Sequence, residues 1–356
     1  MPPTINDVAR AAQVSTATVS FVLNGKPGIS DETRAKVFQA AAELNYTQKP
    51  GRAQREIQTK SLRFLKISKH GRTVNRDHNV FISDYIDGMS GEASRLGYNL
   101  EIVSFESVPI DSIVASLANA TIDGAIVLGT ELSEADLHSF HPLPIPFVVI
   151  DTFYDFVDCN FINMNNKDAV FQILTHFVTR GFKRIGLVAS NVETTNFHLR
   201  RTAFIEGMRR LGLPFDEASI ISVDSTYQGA YEDMRSQLKS GLELPDCYFC
   251  TNDIITYGCI KALQEFKVRI PEDVSVIGFD NLPMSETMTP PLTTVEVSKE
   301  KMGHLSVKLL DEQINAAEKA PAVKTLVGAR LIERASVASK SDVRAIPTPA
   351  QTAAQP

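Results

Sequence analysis

The feature that most constrains the fold is an alternation, from Leu62 to about residue 280, of short apolar runs with longer amphipathic stretches. The runs predict strands at 62–67, 100–105, 124–129, 147–151, 184–190, 219–224, 247–252 and 274–280. Helical periodicity fills stretches between them, for example 81–96, 168–180, 199–211 and 255–266. Near-continuous apolar strands that alternate with helices are typical of parallel sheets covered on both faces.

Eight such strands are more than one sheet comfortably holds, so the alternation predicts an α/β fold with two doubly wound parallel-sheet lobes. In doubly wound sheets a ligand binds outside the carboxyl ends of the strands. Two lobes that face each other therefore predict a binding cleft.

Residues 4–46 follow another pattern and predict a small all-α unit of three short helices. The first helix follows the N-cap residue Thr4, the second follows Ser15 and ends near Leu23, and the third follows the N-cap residue Ser30. Only about three residues separate the first two helices, which predicts the tight crossing of a helix-turn-helix motif.

Charge is distributed unevenly along the chain. The net charge is −6, yet residues 1–72 contain 12 Lys and Arg against 5 Asp and Glu, a local balance of +7. The other 284 residues therefore carry −13. A basic segment at one end of an acidic chain indicates a module that contacts a polyanion.

Membrane-spanning and secreted proteins are not expected. No run of about 18 apolar residues is present, and the N-terminal MPPTINDVARAA lacks the charged and apolar regions of a secretory signal. Four cysteines are too few for a disulfide scaffold, so we expect reduced thiols. The sequence predicts a cytoplasmic protein with no membrane partner.

Metal and cofactor motifs are missing from the sequence. Cys247 and Cys250 have CxxC spacing, but they fall in a predicted buried strand. Cys159 and Cys259 do not supply the second pair that zinc needs. The seven His lack H-E-x-x-H spacing, and G-x-x-x-x-G-K-[ST] and G-x-S-x-G are also missing, as is G-x-G-x-x-G after the first strand. We expect no metal and no cofactor.

The segment TINDVARAAQVSTATVSFVLNGKPGISDETRAKVFQAAAELNY (4–46) resembles the DNA-binding headpiece of LacI/GalR-family transcription regulators. The resemblance continues through two type I periplasmic-binding-protein-like lobes. It is carried there by GFKRIGLVAS (181–190), TNDIITYGCIKAL (251–263), RIPEDVSVIGFDNLP (269–283), PPLTTV (290–295) and GARLIERASV (328–337).

This resemblance implies a domain organisation. We expect a headpiece at 1–46, a hinge linker at 47–60, an effector-binding and dimerisation domain at 61–337, and a disordered tail at 338–356. Within the large domain, lobe 1 would comprise about 61–163 plus 297–325, and lobe 2 about 164–296 plus 326–337.

The resemblance also implies which headpiece residues contact DNA. The second helix would enter the major groove, with Val19 and Val22 turned to the core. The family commonly has Arg where this chain has Phe21, so a guanine contact worth roughly 1–3 kcal/mol is missing and an atypical operator is expected. Alternatively, Phe21 packs on the headpiece core. The predicted contacts are Thr4, Ser15, Thr16, Ala17, Thr18, Ser20, Phe21 and Asn24.

The linker matches the family's hinge segment, which resembles a helix that orders on the operator and wedges an apolar side chain into the minor groove. Register places Arg55 at the family's Leu, and Ile57 is the large apolar residue nearby. We expect Arg52, Arg55 and Ile57 to contact DNA. The alternative is an ordinary solvated basic linker.

In the cleft, Asp151, Arg200, Asn252 and Asp280 match family positions that hold the effector, and Phe81 would stack on a sugar ring. Carboxylates, an amide and a guanidinium suit a polyol. Structural alternatives are helix caps for Asn252 and Asp280, a surface ion pair for Arg200, and a core position for Phe81. Because Arg201 is adjacent to Arg200, the assignment is ambiguous by one residue.

The sequence therefore predicts a homodimeric repressor that binds a pseudo-palindromic operator in double-stranded DNA and is switched by a small effector, expected to be a sugar. One alternative replaces the sugar with a protein or non-sugar coeffector. Two others are a solute-binding protein and a sugar-hydrolysing enzyme with Asp151 and Asp280 as paired carboxylates. We expect no enzyme activity.

Overall fold

The computed structural model describes residues 3–23, 28–44, 46, 60–318 and 320–339. It divides the chain into two compact units, Met1–Thr59 and Lys60–Pro356. Several predictions lie outside the described residues, namely the hinge over 47–59, the DNA contacts Asn24, Arg52, Arg55 and Ile57, and the tail from residue 340 onward.

The first unit contains the three predicted helices, α1 (Ile5–Ala11), α2 (Thr16–Leu23) and α3 (Asp31–Glu43). Their apolar faces form a small core that includes the buried residues Val8, Val19, Val22 and Val37. Each helix begins at a hydroxyl residue, because such a side chain pairs with the open end of the helical backbone. Thr4 bonds with Asp7, and Ser15 and Ser30 accept from backbone N–H groups three residues later.

The second unit contains twelve strands and nine α-helices among its described residues. In chain order they are β1 (Lys60–Ser68), α4 (Asn79–Leu96), β2 (Tyr98–Glu106), α5 (Ile110–Ala118), β3 (Gly124–Leu128), α6 (Glu134–His138), β4 (Phe147–Ile150), β5 (Asn160–Met164), α7 (Asn166–Thr179), β6 (Ile185–Ser190), α8 (Thr195–Arg210), β7 (Ile220–Val223), α9 (Tyr227–Lys239), β8 (Cys247–Cys250), α10 (Asp253–Glu265), β9 (Ser275–Ile277), α11 (Met284–Thr287), β10 (Thr294–Val297), α12 (Lys299–Asn315), β11 (Lys324–Val327) and β12 (Ala329–Ile332).

Two parallel sheets organise this unit. The first lobe has six strands in the order β11-β5-β4-β3-β1-β2, and the second has four in the order β7-β6-β8-β9. In the six-stranded sheet, β2 pairs with one side of β1 and β3 pairs with the other. The order in which strands are added therefore reverses at β1, as in a doubly wound fold. The predicted α/β class with two parallel-sheet lobes is confirmed.

The chain passes between the lobes at three places, between β5 and α7, between β10 and α12, and between β11 and β12. Helix α12 returns to pack on α4 of the first lobe. Their backbones approach so closely that a Cβ on Gly88 would lie 2.0 Å from the carbonyl oxygen of Glu300. A Cβ on Gly303 would lie 2.1 Å from that of Tyr85, so both contacts require glycine.

Several predicted strands are longer than the observed ones. Asp151, Asn252 and Asp280 follow β4, β8 and β9 instead of ending them. The sequence analysis did not identify β5, because its run Asn160–Met164 is short and interrupted by asparagine. Within the described residues no helix is long and apolar enough to cross a bilayer, and all four cysteines are buried free thiols.

Candidate functional site

A polar cavity of about 40 Å³ lies between the two lobes of the second unit. Segments that follow β1, β3 and β4 reach it from the first lobe, and segments that follow β6, β8 and β9 reach it from the second. It therefore lies at the carboxyl ends of both sheets. Its lining residues are Thr73, His78, Phe81, Ile82, Thr130, Asp151, Thr194, Asn196, Phe197, Arg200, Asn252 and Asp280.

The cavity brings together all five residues predicted to hold the effector, Phe81, Asp151, Arg200, Asn252 and Asp280. Each is buried, although they come from five separate segments of the chain. Their binding role stays a prediction, but the contacts of each side chain show which of its hydrogen-bond donors and acceptors the protein leaves for a ligand.

Asp151 follows β4 in a left-handed backbone conformation, with φ of 66°. Its carboxylate accepts hydrogen bonds from the hydroxyls of Tyr85 at 2.9 Å and Thr130 at 2.5 Å, and from the amide of Asn196 at 3.0 Å. Burial raises the pKa of Asp151, and these donors oppose that rise. The protein itself therefore engages both carboxylate oxygens.

Asn196 on α8 links the two lobes through both ends of its amide. Its Oδ1 accepts from the amides of Asn163 at 2.9 Å and Asn166 at 2.8 Å. Its Nδ2 donates to the carbonyl and carboxylate oxygens of Asp151, both at 3.0 Å. Because Asp151 and Asn163 belong to the first lobe, these bonds stabilise the closed arrangement.

Arg200 is buried on α8, with its guanidinium 3.7 Å from the centre of the Phe279 ring. Its Nε donates to Asn166 at 2.9 Å, and one terminal nitrogen donates to the carbonyl of Thr251 at 2.6 Å. The other terminal nitrogen lies 3.0 Å from the sulfur of Met164. The surface ion-pair alternative is wrong for Arg200, whereas the adjacent Arg201 is exposed.

Asp280 follows β9 with φ of 113° and is buried at the cavity wall. Its Oδ1 has no hydrogen-bond partner among the described residues, and it forms an ion pair with Arg200 over 3.6 Å. Burial raises the pKa of Asp280 to about 7, although Arg200 opposes the rise. A buried acceptor without a donor is costly, so a ligand hydroxyl or amine at this position would be stabilising.

Asn252 has the helix-capping role given as its alternative. Its Oδ1 accepts from the backbone N–H of Ile255 at 2.8 Å, at the start of α10. Its Nδ2 lies 3.2 Å from Nε2 of His78 in the first lobe. Nδ1 of His78 faces the amide oxygen of Asn75 at 3.0 Å, so Nδ1 carries the proton and Nε2 accepts. Burial lowers the pKa of His78 to about 4, which keeps the ring neutral at pH 7.

His78 belongs to an arm, residues 69–78, that joins β1 to α4. Both carboxylate oxygens of Glu131 hold the arm by accepting from the backbone N–H groups of Lys69, His70, Gly71, Thr73 and Val74. The Thr73 hydroxyl also donates to Glu131, at 2.9 Å. Burial opposes ionisation, but these donors outweigh it and lower the pKa of Glu131 to about 2.

The arm also contacts the second lobe beyond the His78–Asn252 pair. The Ser225 hydroxyl donates to the carbonyl of Arg72 at 2.7 Å, and the guanidinium of Arg72 lies 3.9 Å from Asp224. Glu131 therefore holds a segment of the first lobe in position to contact the second.

Phe81 lies in the first turn of α4 with its ring edge-on to Tyr85, 5.1 Å between centres. The ammonium of Lys299 lies 5.2 Å from the centre of the Phe81 ring. Phe81 is 7% exposed, so its predicted core position and its position on the cavity wall both apply.

In the headpiece, Thr16 and Ala17 are exposed at the start of α2, and Phe21 is 44% exposed one turn later. Phe21 is therefore not fully buried, and both the DNA contact and packing on the headpiece core stay predictions. The Thr18 backbone N–H donates to Ser15 at 3.1 Å, and Ser20 is half-buried on the same helix. DNA contact by these residues and by Thr4 stays a prediction.

The sequence analysis missed seven cavity residues, which are Thr73, His78, Ile82, Thr130, Thr194, Asn196 and Phe197. Thr130 was detectable, because it comes two residues after β3, as a strand-end position does. His78 and Asn196 were not, because their placement depends on the Glu131 contacts and on a network of three asparagine side chains. No group of three or more metal-ligating side chains occurs in the described part of the chain.

Comparison with known families finds two matching models. The family described as bacterial regulatory proteins, lacI family, matches residues 4–49, and the periplasmic binding protein-like domain matches residues 174–337. The chain is 30% identical over 342 residues to the HTH-type transcriptional repressor PurR of Pasteurella multocida, covering 95% of this chain and 99% of that protein.

Two solved structures show the same fold. The transcriptional regulator CelR in complex with cellobiose has a TM-score of 0.70 at 23% identity, covering 94% of this chain and 99% of that chain. The lac repressor dimer bound to operator and the anti-inducer ONPF has a TM-score of 0.68 at 24% identity, covering 95% of this chain and 100% of that chain.

Proposed function

The chain belongs to the lacI family of bacterial regulatory proteins and is a DNA-binding transcriptional repressor, and from that premise we propose that a sugar held between its lobes controls its operator affinity. In this proposal residues 1–46 read the DNA, 47–60 form a hinge, and 61–337 bind the effector and dimerise. The observation that carries the proposal is the carboxylate oxygen of Asp280, which lacks a hydrogen-bond donor among the described residues, in a cavity built from both lobes.

The size of the cavity supports control by lobe movement. A cavity needs about 10–15 Å³ to hold a water, so about 40 Å³ has room for a few waters but not for a sugar ring. An effector must therefore separate the lobes, at the expense of contacts such as Asn196 to Asp151. Its affinity then differs between open and closed states, which is the requirement for allosteric coupling.

The chemistry of the wall supports a polyol. Asp280 offers an acceptor to a hydroxyl, and the Phe81 ring offers an apolar face on which a sugar ring can pack. The solved complex of CelR with cellobiose, which shares this fold, has a sugar as its ligand.

A homodimer is the assembly that fits operator recognition. One helix-turn-helix unit reads about half an operator, so a two-fold dimer on a pseudo-palindrome is the geometric expectation. Strand β2 is an edge strand of the six-stranded sheet, with Ile102 49% exposed, and Val80 in α4 is 47% exposed. The lac repressor, similar in fold, is described as a dimer on its operator.

The test is selection of bound sequences from a random DNA duplex pool, followed by titration of the labelled selected duplex with and without a panel of sugars and nucleobases. The label belongs on the DNA because the chain has no Trp. We expect an enriched pseudo-palindrome whose affinity shifts with one sugar. A duplex whose affinity responds to a nucleobase instead would reject the sugar while retaining the repressor.

A further inference from the structure

The cavity lining contains one permanent cation, and its guanidinium already contacts groups of the protein. Arg200 is the only Lys or Arg among the lining residues. Its three guanidinium nitrogens contact Asn166, the Thr251 carbonyl and Met164. Thr251 and Asn166 lie in segments of the second lobe, as Arg200 does, so these bonds persist when the lobes separate. Asp280 lies 3.6 Å from the guanidinium as its counter-ion, so a ligand phosphate or carboxylate would have to compete with Asp280 for this charge.

Two threonine hydroxyls of the first lobe face the cavity with oxygen lone pairs, because their hydrogens are donated elsewhere. The Thr130 hydroxyl donates its hydrogen to Asp151, and the Thr73 hydroxyl donates its hydrogen to Glu131. All four residues lie in first-lobe segments, so opening the cleft does not release these hydrogens. Toward the cavity, each of the two threonine oxygens can only accept a hydrogen bond.

The wall therefore presents acceptors from both lobes. In the second lobe, the Oδ1 of Asp280 lacks a hydrogen-bond partner within the described chain, and in the first lobe the Thr130 and Thr73 oxygens can only accept. A ligand rich in hydroxyl or amine donors matches this inventory, whereas a ligand that presents acceptors leaves lone pairs facing one another.

The mouth of the cavity is also net negative. A wider groove of about 940 Å³ adjoins the cavity and shares Thr130, Thr194 and Phe197 with it. Two cations, Lys69 and Arg201, lie on the groove wall against four acids, Glu131, Glu134, Asp155 and Glu193. Lys69 is moreover paired with Asp136 at 2.5 Å. A cleft lined by excess negative charge disfavours approach of an anion.

The charge of Arg200 is balanced by Asp280, the wall presents acceptors from both lobes, and the groove at the mouth is acidic. We therefore propose that this pocket selects an uncharged or cationic, donor-rich effector and excludes phosphorylated and carboxylated metabolites. The inference rests on the proposed function, because it names the chemical class of the effector for the same site. An unphosphorylated polyol or amino-polyol would bind, whereas a sugar phosphate, a sugar acid or a nucleotide would not.

The test is equilibrium dialysis of the full chain against a bacterial metabolite extract, with retained compounds identified by mass spectrometry. Three proteins are compared, the unmodified chain, Asp280→Asn and Asp158→Asn. Asn tolerates the positive φ of Asp280, and Asp158 is an exposed carboxylate outside the cavity. Thermal unfolding confirms that each variant is folded.

We expect the unmodified chain and Asp158→Asn to retain an uncharged or cationic compound with several hydroxyl or amine groups. Asp280→Asn should bind it about 10- to 100-fold more weakly, because an amide replaces the carboxyl group that accepts from the ligand. The charge of the retained compound is determined with the unmodified chain alone, so the result stands even if a variant folds poorly.

A phosphate or carboxylate compound retained by the unmodified chain and lost in Asp280→Asn would overturn the inference and leave effector control intact. If nothing is retained and the extract leaves operator affinity unchanged, effector control itself is wrong, and the inference fails with it.

Discussion

Arg200 and Arg201 are neighbouring cations in opposite environments. Arg200 is 3% exposed and donates to Asn166 and to the Thr251 carbonyl, whereas Arg201 is exposed on the wall of the outer groove. Sequence alone left the assignment ambiguous by one residue, because helical phase near the start of α8 depends on where the helix begins. The cap at Thr194, which accepts from the Phe197 N–H at 3.3 Å, resolves that phase.

Replacing Arg200 by Met should destabilise the protein by about 3–5 kcal/mol, because it leaves Asp280 and the Thr251 carbonyl buried without their donor or counter-ion. The matched change Arg201→Met should alter the free energy of unfolding by less than about 0.5 kcal/mol. Urea denaturation measures both. Equal effects of the two substitutions would mean that the buried contacts of Arg200 contribute little.

For individual residues, the sequence predicted which side chains line the cavity better than it predicted their hydrogen-bond partners. Asp151, Asn252 and Asp280 were identified through the family resemblance, and strand geometry agrees with it, because each follows an apolar run and the carboxyl ends of parallel strands meet at one edge of a sheet. The capping role of Asn252 was foreseen as an alternative, but its pairing with His78 was not. Such pairing depends on a loop conformation that periodicity does not encode.

Helix α2 and the arm show how single elements prepare the two sites. In α2, Val19 and Val22 face the headpiece core while Thr16 and Ala17 stay exposed, as helical periodicity predicts. The arm has no such periodicity. Its conformation is set by backbone N–H groups directed at one carboxylate, that of Glu131.

Phe21→Ala should lower operator affinity by about tenfold or more with little change in the unfolding midpoint, because the ring is 44% exposed on the proposed DNA-contacting surface of α2. Phe38→Ala is the matched control, since Phe38 is 53% exposed but lies on α3. Titration of labelled operator measures the affinities. If both alanine variants bind operator like the unmodified chain, Phe21 makes no useful DNA contact.

Glu131→Gln should reduce stability at pH 7 by about 2 kcal/mol, because an amide NH₂ group would face backbone N–H donors that a carboxylate accepts. The pKa of folded Glu131, about 2, lies below its ordinary value of 4.5. Its stabilisation is therefore complete above about pH 4.5 and is lost as the pH falls towards 2.

Denaturation curves between pH 7 and pH 2 measure this prediction. The difference in stability between the unmodified chain and Glu131→Gln should shrink as the pH falls, and the exposed neighbour Glu134→Gln should show no such convergence. A constant difference across the range would show that the charge of Glu131 does not hold the arm.

For the whole molecule, the sequence predicted the class of fold and the cleft, because strand–helix alternation determines how parallel sheets are covered. The lobe bounds that the family resemblance implies already contain three passages between the lobes, but the sequence did not predict the packing of α12 on α4, which depends on close backbone contact at Gly88 and Gly303. The three passages connect the lobes, and the central claim is that a ligand between the lobes acts through lobe movement on DNA binding.

The most direct test of that claim is titration of labelled operator with the unmodified chain, Asp158→Asn and Asp280→Asn, each with and without the retained compound. We expect the compound to shift operator affinity by at least about fivefold in the first two proteins. At the same concentration it should leave Asp280→Asn unchanged. An equal shift in all three proteins, or no shift while the compound occupies the pocket, would contradict control of DNA binding from this cleft.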